Sequence, residues 1–218
     1  MNRSFLNPLA PQRTLPGALL MAARITGWLR RALAVLGLAA LAACSPQGEA
    51  FHGIDISGAE YARGFSLSDP DGRTRTLADF KGQAVLVFFG FTQCPDVCPT
   101  ALARAAEVRN LLGADGQRLQ VLFVTIDPER DTPVVLKAYT QAFDASFLGL
   151  YGSLEHTAAM AREFKVSYTK VPTGSSYTMD HSTLSYVFDP AGKLRLALRH
   201  AGTAQEYAQD IRRLLAAH

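Results

Sequence analysis

The chain has 218 residues, an ordinary 48% apolar content and a formal charge of +3. Five arginines (Arg3, Arg13, Arg24, Arg30, Arg31) fall in residues 1–43, which hold no acid, so the remainder carries 17 basic against 19 acidic side chains. A near-neutral body excludes a basic nucleic-acid-binding surface, three cysteines exclude a disulfide scaffold, and the length suits one domain behind a targeting segment.

Arg24, Arg30 and Arg31 precede a short apolar run, residues 32–43, that ends in Leu41-Ala42-Ala43-Cys44. A charged region followed by an apolar stretch too short to span a bilayer comfortably reads as a signal peptide. The small residues directly before Cys44 resemble a bacterial lipobox, which implies a lipid on Cys44 and a protein held at the membrane, facing the periplasm. An uncleaved signal anchor is the alternative. Arg30-Arg31 also suggests twin-arginine export, although the rest of that motif is weak. Residues 1–20 do not look like part of a signal, and Met21 would open one of usual length. Residues 44–61 read as a linker, with small residues and no periodicity.

The domain is expected over 62–218. Alternation on either side of Asp69-Pro70-Asp71-Gly72 predicts a hairpin over 65–76. Residues 84–89 form a buried strand, and a helix follows from about Pro99 to Leu112. A second buried strand covers 119–126. Thr132 and Pro133 open a helix to about Phe143. Residues 147–150 are a short strand, and Ser153 caps a helix over 154–164. The polar stretch 169–180 reads as a loop. Residues 184–188 and 193–198 form a hairpin around Asp189-Pro190-Ala191-Gly192, and Thr203 caps a last helix to about Ala217. This is βαβ followed by ββα, the thioredoxin order: an α/β fold whose mixed central sheet is flanked by helices, here with an extra N-terminal hairpin.

The chemistry centres on Phe91-Thr92-Gln93-Cys94-Pro95-Asp96-Val97-Cys98-Pro99. Two thiols four positions apart sit where a strand gives way to a helix, and a helix N-terminus favours thiolate. Such a pair is a redox couple, or half of a soft-metal site that needs another donor. Of the five histidines, His52 lies in the linker, His218 at the terminus, His156 in a helical first turn and His200 at a hairpin end. His181 precedes the central strand 184–188, in a loop that the thioredoxin order packs beside the cysteine corner. It is a candidate third ligand, or a loop histidine held by Asp180 or Ser182.

The cysteine segment, Ile126-Asp127-Pro128-Glu129-Arg130-Asp131-Thr132-Pro133, Val171-Pro172-Thr173-Gly174 and Tyr177-Thr178-Met179-Asp180-His181-Ser182 together resemble the Sco/SenC family over about residues 60–215. Its members are copper-binding, thioredoxin-like proteins that help assemble cytochrome c oxidase. The resemblance implies one copper, as Cu(I) or Cu(II), on Cys94, Cys98 and His181, and places the family's D-x-x-x-D element on Asp127 and Asp131. It further implies copper received from a periplasmic carrier and delivered to the binuclear copper centre of oxidase subunit II. Two thiolates and an imidazole suit Cu(I). Hard carboxylates do not, so Asp127 and Asp131 are expected to order the surroundings or face a partner. Thiol–disulfide reduction of the recipient's cysteines, and a metal-free thiol peroxidase, are the competing readings.

Overall fold

The computed structural model describes residues 50–217. The signal-like run, the alternative start at Met21 and the candidate lipidation site Cys44 lie outside them. Among the described residues, no helix is long and apolar enough to cross a membrane.

Two strands set the architecture. β4 (Ala84–Gly90) and β5 (Leu119–Thr125) are buried at every position and pair in parallel, from Ala84 with Leu119 to Gly90 with Thr125. Both lack charged residues and are rich in Val, Leu and Phe, as a strand covered on both faces requires. β6 (Leu148–Leu150) extends the parallel side. On the other side β9 (Ser185–Phe188), β10 (Leu194–Leu198) and β1 (Ile54–Asp55) add antiparallel, giving the order β1-β10-β9-β4-β5-β6. α1 (Val97–Leu112) packs against α4 (Ala204–Ala216), and α2 (Pro133–Gln141) lies against β6. α3 (Leu154–Glu163) leads into the hairpin that carries His181. The fold is the expected thioredoxin-like α/β arrangement, with a mixed sheet flanked by helices.

The extra hairpin is present as β2 (Leu67–Ser68) and β3 (Thr74–Arg75). Its turn uses Asp69, whose carboxylate accepts from the amides of Asp71 and Arg73 and from Arg75 Nε. Asp189 does the same between β9 and β10, accepting from the amides of Ala191 and Lys193 and from Arg195. One Asp-Pro-x-Gly device thus closes both hairpins.

Two segments depart from the expectation. Ile54–Asp55, inside the stretch read as linker, is an edge strand paired with Ala197 and Leu196. Its anchor is Asp210 on α4, a buried carboxylate that accepts the amides of His52 at 3.0 Å and Gly53 at 2.8 Å. A two-residue strand is too short to show a period. The stretch 169–180, read as a loop, lies within a regular hairpin, β7 (Tyr168–Thr173) with β8 (Ser176–His181). β7 is exposed at five consecutive positions, so no apolar alternation marks it.

Candidate metal centre

β4 ends at Gly90, and the chain turns through residues 91–96 before α1 begins at Val97. Cys94 therefore precedes the helix and Cys98 lies in its first turn. Asp96 occupies the capping position without bonding a helix amide through its side chain. Instead the Cys98 amide donates to Cys94 Sγ at 3.4 Å. One otherwise orphaned helical amide is satisfied by sulfur, which fixes the two thiols relative to each other. Cys98 is fully buried and Cys94 half-buried. Gly90 makes room for this packing, since a Cβ there would sit 2.7 Å from Cys98 Sγ and 2.8 Å from the Phe123 ring.

His181 closes β8 and reaches the same point. Its Nε2 lies 3.7 Å from Cys98 Sγ, and its Nδ1 lies 2.8 Å from the Ser182 carbonyl. A carbonyl only accepts, so Nδ1 carries the proton and Nε2 presents its lone pair to the thiols. The backbone of Ser182 thus holds the ring, rather than the side chain of Asp180 or Ser182. Phe88 and Phe91 meet the imidazole edge-on, with centroids 6.2 and 5.9 Å away. The ligand atoms of Cys94, Cys98 and His181 all lie within 4.8 Å of one another. Among the described residues this is the one such group of three or more metal-binding side chains. The donors fit a soft ion of low coordination number.

Burial governs the protonation states. It pushes the Cys98 thiol well above the ordinary range, and the charges of Cys94 and Asp131 push the same way. The expected lowering by the helix N-terminus is outweighed for this sulfur. Burial also lowers the His181 pKa, which keeps the imidazole neutral at pH 7 and able to ligate.

Asp127 and Asp131 are each 1% exposed. Asp131 accepts from the Thr92 amide at 3.1 Å, from Thr92 Oγ1 at 2.6 Å and from Thr125 Oγ1 at 2.6 Å, tying the cysteine loop to the end of β5. Asp127 accepts from Tyr177 Oη at 2.8 Å and from Arg130 Nε at 2.5 Å. Neither carboxylate belongs to the ligand group. Thr92, Thr125, Arg130 and Tyr177 escape a sequence reading, because their roles depend on contacts that span from 3 to 50 positions. Its place as the one cation between the two aspartates was the available clue to Arg130.

The sequence matches the SCO1/SenC family model over residues 55–216. The chain belongs to the SCO1/SenC family. It is 41% identical over 157 residues to the mitochondrial SCO2 homolog of Bos taurus, covering 70% of this chain and 59% of that one. The chain thus spans somewhat under two thirds of that relative's length. Among solved structures it resembles Bradyrhizobium japonicum ScoI with copper bound, at 39% identity and a TM-score of 0.64, over 69% of this chain and 97% of that one. It also resembles yeast Sco1 with copper bound, at 33% identity and a TM-score of 0.64, over 71% of this chain and 88% of that one.

Proposed function

We propose that this protein is a copper-binding assembly factor for cytochrome c oxidase, delivering one copper to the binuclear centre of subunit II. The observation that carries the reading is the convergence of two thiols and an imidazole lone pair within 4.8 Å, one thiol being half-buried. Copper-bound relatives of the same fold support it. Cu(I) tolerates three ligands, so a partner's thiolate or imidazole can enter at Cys94 and displace the site's ligands stepwise. A periplasmic carrier would supply the ion. Lipid on Cys44 would hold the domain at the membrane, on the periplasmic side of the bacterial envelope.

A dithiol reductase role toward the recipient's cysteines is the second reading. Cys94 and Cys98 are free thiols placed side by side. Thiolate attack on a recipient disulfide and resolution by the second cysteine would leave a Cys94–Cys98 disulfide and two reduced recipient thiols. That disulfide could not hold copper, so the two roles would alternate on one residue pair. A copper titration of the reduced, full chain followed by absorbance tests the first reading. Saturation at one equivalent with a thiolate-to-copper band in the Cu(II) form supports it. Absence of copper binding with retained reduction of a model disulfide would leave the reductase. A metal-free thiol peroxidase would show neither copper binding nor dependence on His181.

A further inference from the structure

The thiols and the imidazole come from parts of the fold that share no backbone ladder. The cysteines sit between β4 and α1 of the central sheet, whereas His181 ends a two-stranded sheet of its own. A three-ligand site needs something to hold that hairpin at the right distance.

The Arg130 guanidinium reaches both sides. Its Nη1 donates to Gln93 Oε1 at 2.9 Å, beside Cys94, and to the Tyr177 carbonyl at 2.8 Å, four residues before His181. Its Cζ lies over the Tyr177 ring, 3.7 Å from the centroid, and 5.9 Å from the centroid of Phe91, which itself edges onto His181. Only Nε bonds Asp127, whose second oxygen takes the Tyr177 hydroxyl. The Nη2 that would complete a side-on bidentate pair is enclosed and makes no hydrogen bond. The guanidinium therefore forgoes the strongest arrangement with its carboxylate and bridges the two ligand-bearing segments instead. A lysine could pair with Asp127, but its point charge lacks the planar fork and the ring stack.

We propose that Arg130 is a positioning residue that latches the His181 hairpin to the cysteine loop, so that copper is held by three ligands rather than two. The latch rests on the copper reading above, and its test carries one arm that needs no metal. Arg130→Lys in the full chain keeps a positive charge beside Asp127. In the metal-free protein, amide hydrogen exchange over Tyr177–His181 should quicken while the slow amides of β4 and β5 stay unchanged. In the copper-loaded protein one copper should remain on the thiolates, with the imidazole nitrogen signature of the Cu(II) spectrum weakened or lost. Copper should pass to a competing chelator about 10–100-fold faster. Adding Arg130→Lys to His181→Ala should change release no further. An unchanged nitrogen signature and release rate would overturn the latch, as would effects that add to those of His181→Ala. Faster exchange throughout β4 and β5 would instead make Arg130 a general stabiliser. Failure of the wild-type chain to bind copper would sink the copper reading, while the exchange measurement would still judge the contact.

Discussion

Thr92 and Asp131 bind each other twice, through the Thr92 amide and its hydroxyl, at 3.1 and 2.6 Å. The pairing moors the cysteine loop from below, two residues before Cys94. Asp131→Ala would strand the partly buried amide and hydroxyl of Thr92 and the buried hydroxyl of Thr125. The expected loss is about 2–4 kcal/mol in urea unfolding of the metal-free protein, given roughly 1–3 kcal/mol for a buried polar group left unpaired. Thr92→Val keeps the amide bond and should cost about half as much, near 1–2 kcal/mol. Equal losses in the two variants would mean that neither the Thr92 amide bond nor the Thr125 hydroxyl bond contributes.

Cys94→Ser and Cys98→Ser should each abolish the thiolate-to-copper band and tight binding, because a hydroxyl is a poor ligand for a soft ion. His181→Ala should retain one copper with a shifted spectrum and weaker binding, since both thiolates remain. Absorbance titration and competition with a chelator separate these outcomes. An unchanged spectrum and affinity in His181→Ala would remove the imidazole from the site.

Copper affinity should fall with acidity. The Cys98 pKa is raised by burial, so below and well beyond neutral pH this sulfur holds a proton that copper must displace. Each displaced proton weakens apparent binding by about tenfold per unit fall in pH. The slope should steepen in acid once His181, whose pKa is lowered, also takes up a proton. The metal-free domain, by contrast, loses stability at both ends of the pH range. The unfolded chain binds the histidine proton more readily, so stability is lost as pH falls through and below about 6.5. The unfolded chain releases the thiol proton more readily, so stability is also lost as pH rises above about 8.5. Competition titrations and urea melts across pH 5 to 9 check both; flat profiles would contradict the burial of Cys98 and His181.

Cys44→Ser should release or misprocess the protein if the cysteine carries the lipid. Membrane fractionation with size analysis decides it. A variant still in the membrane at its unprocessed size would favour an uncleaved signal anchor.

The sheet was legible because β4 is an unbroken apolar run and β5 is apolar but for Gln120 and Thr125, and the helices because Thr132, Ser153 and Thr203 announce their starts. The thiol pair was legible from its spacing, and His181 from its place before a central strand. The hairpin beneath His181 was not, since five consecutive β7 side chains stay in water and β8 buries only Met179, which leaves no apolar stripe. Nor could the protonation of Cys98 be read. The helix terminus is visible in the sequence, but the burial that outweighs it is not. Arg130 stood in plain view between two acids, yet its partners Gln93 and Tyr177 lie 37 and 47 positions away.

The unequal burial of the two sulfurs gives the site a direction. Cys94 faces outward and Cys98 is sealed beneath it. An incoming reactant, whether a partner's thiolate or an electrophilic alkylating reagent, meets Cys94 first. On the proposed copper reading, the bond to Cys98 would be the last to yield. If the protein delivers copper as proposed, handover would be an ordered sequence with a front door and a back wall, one grip being kept on the cargo until the recipient has taken another.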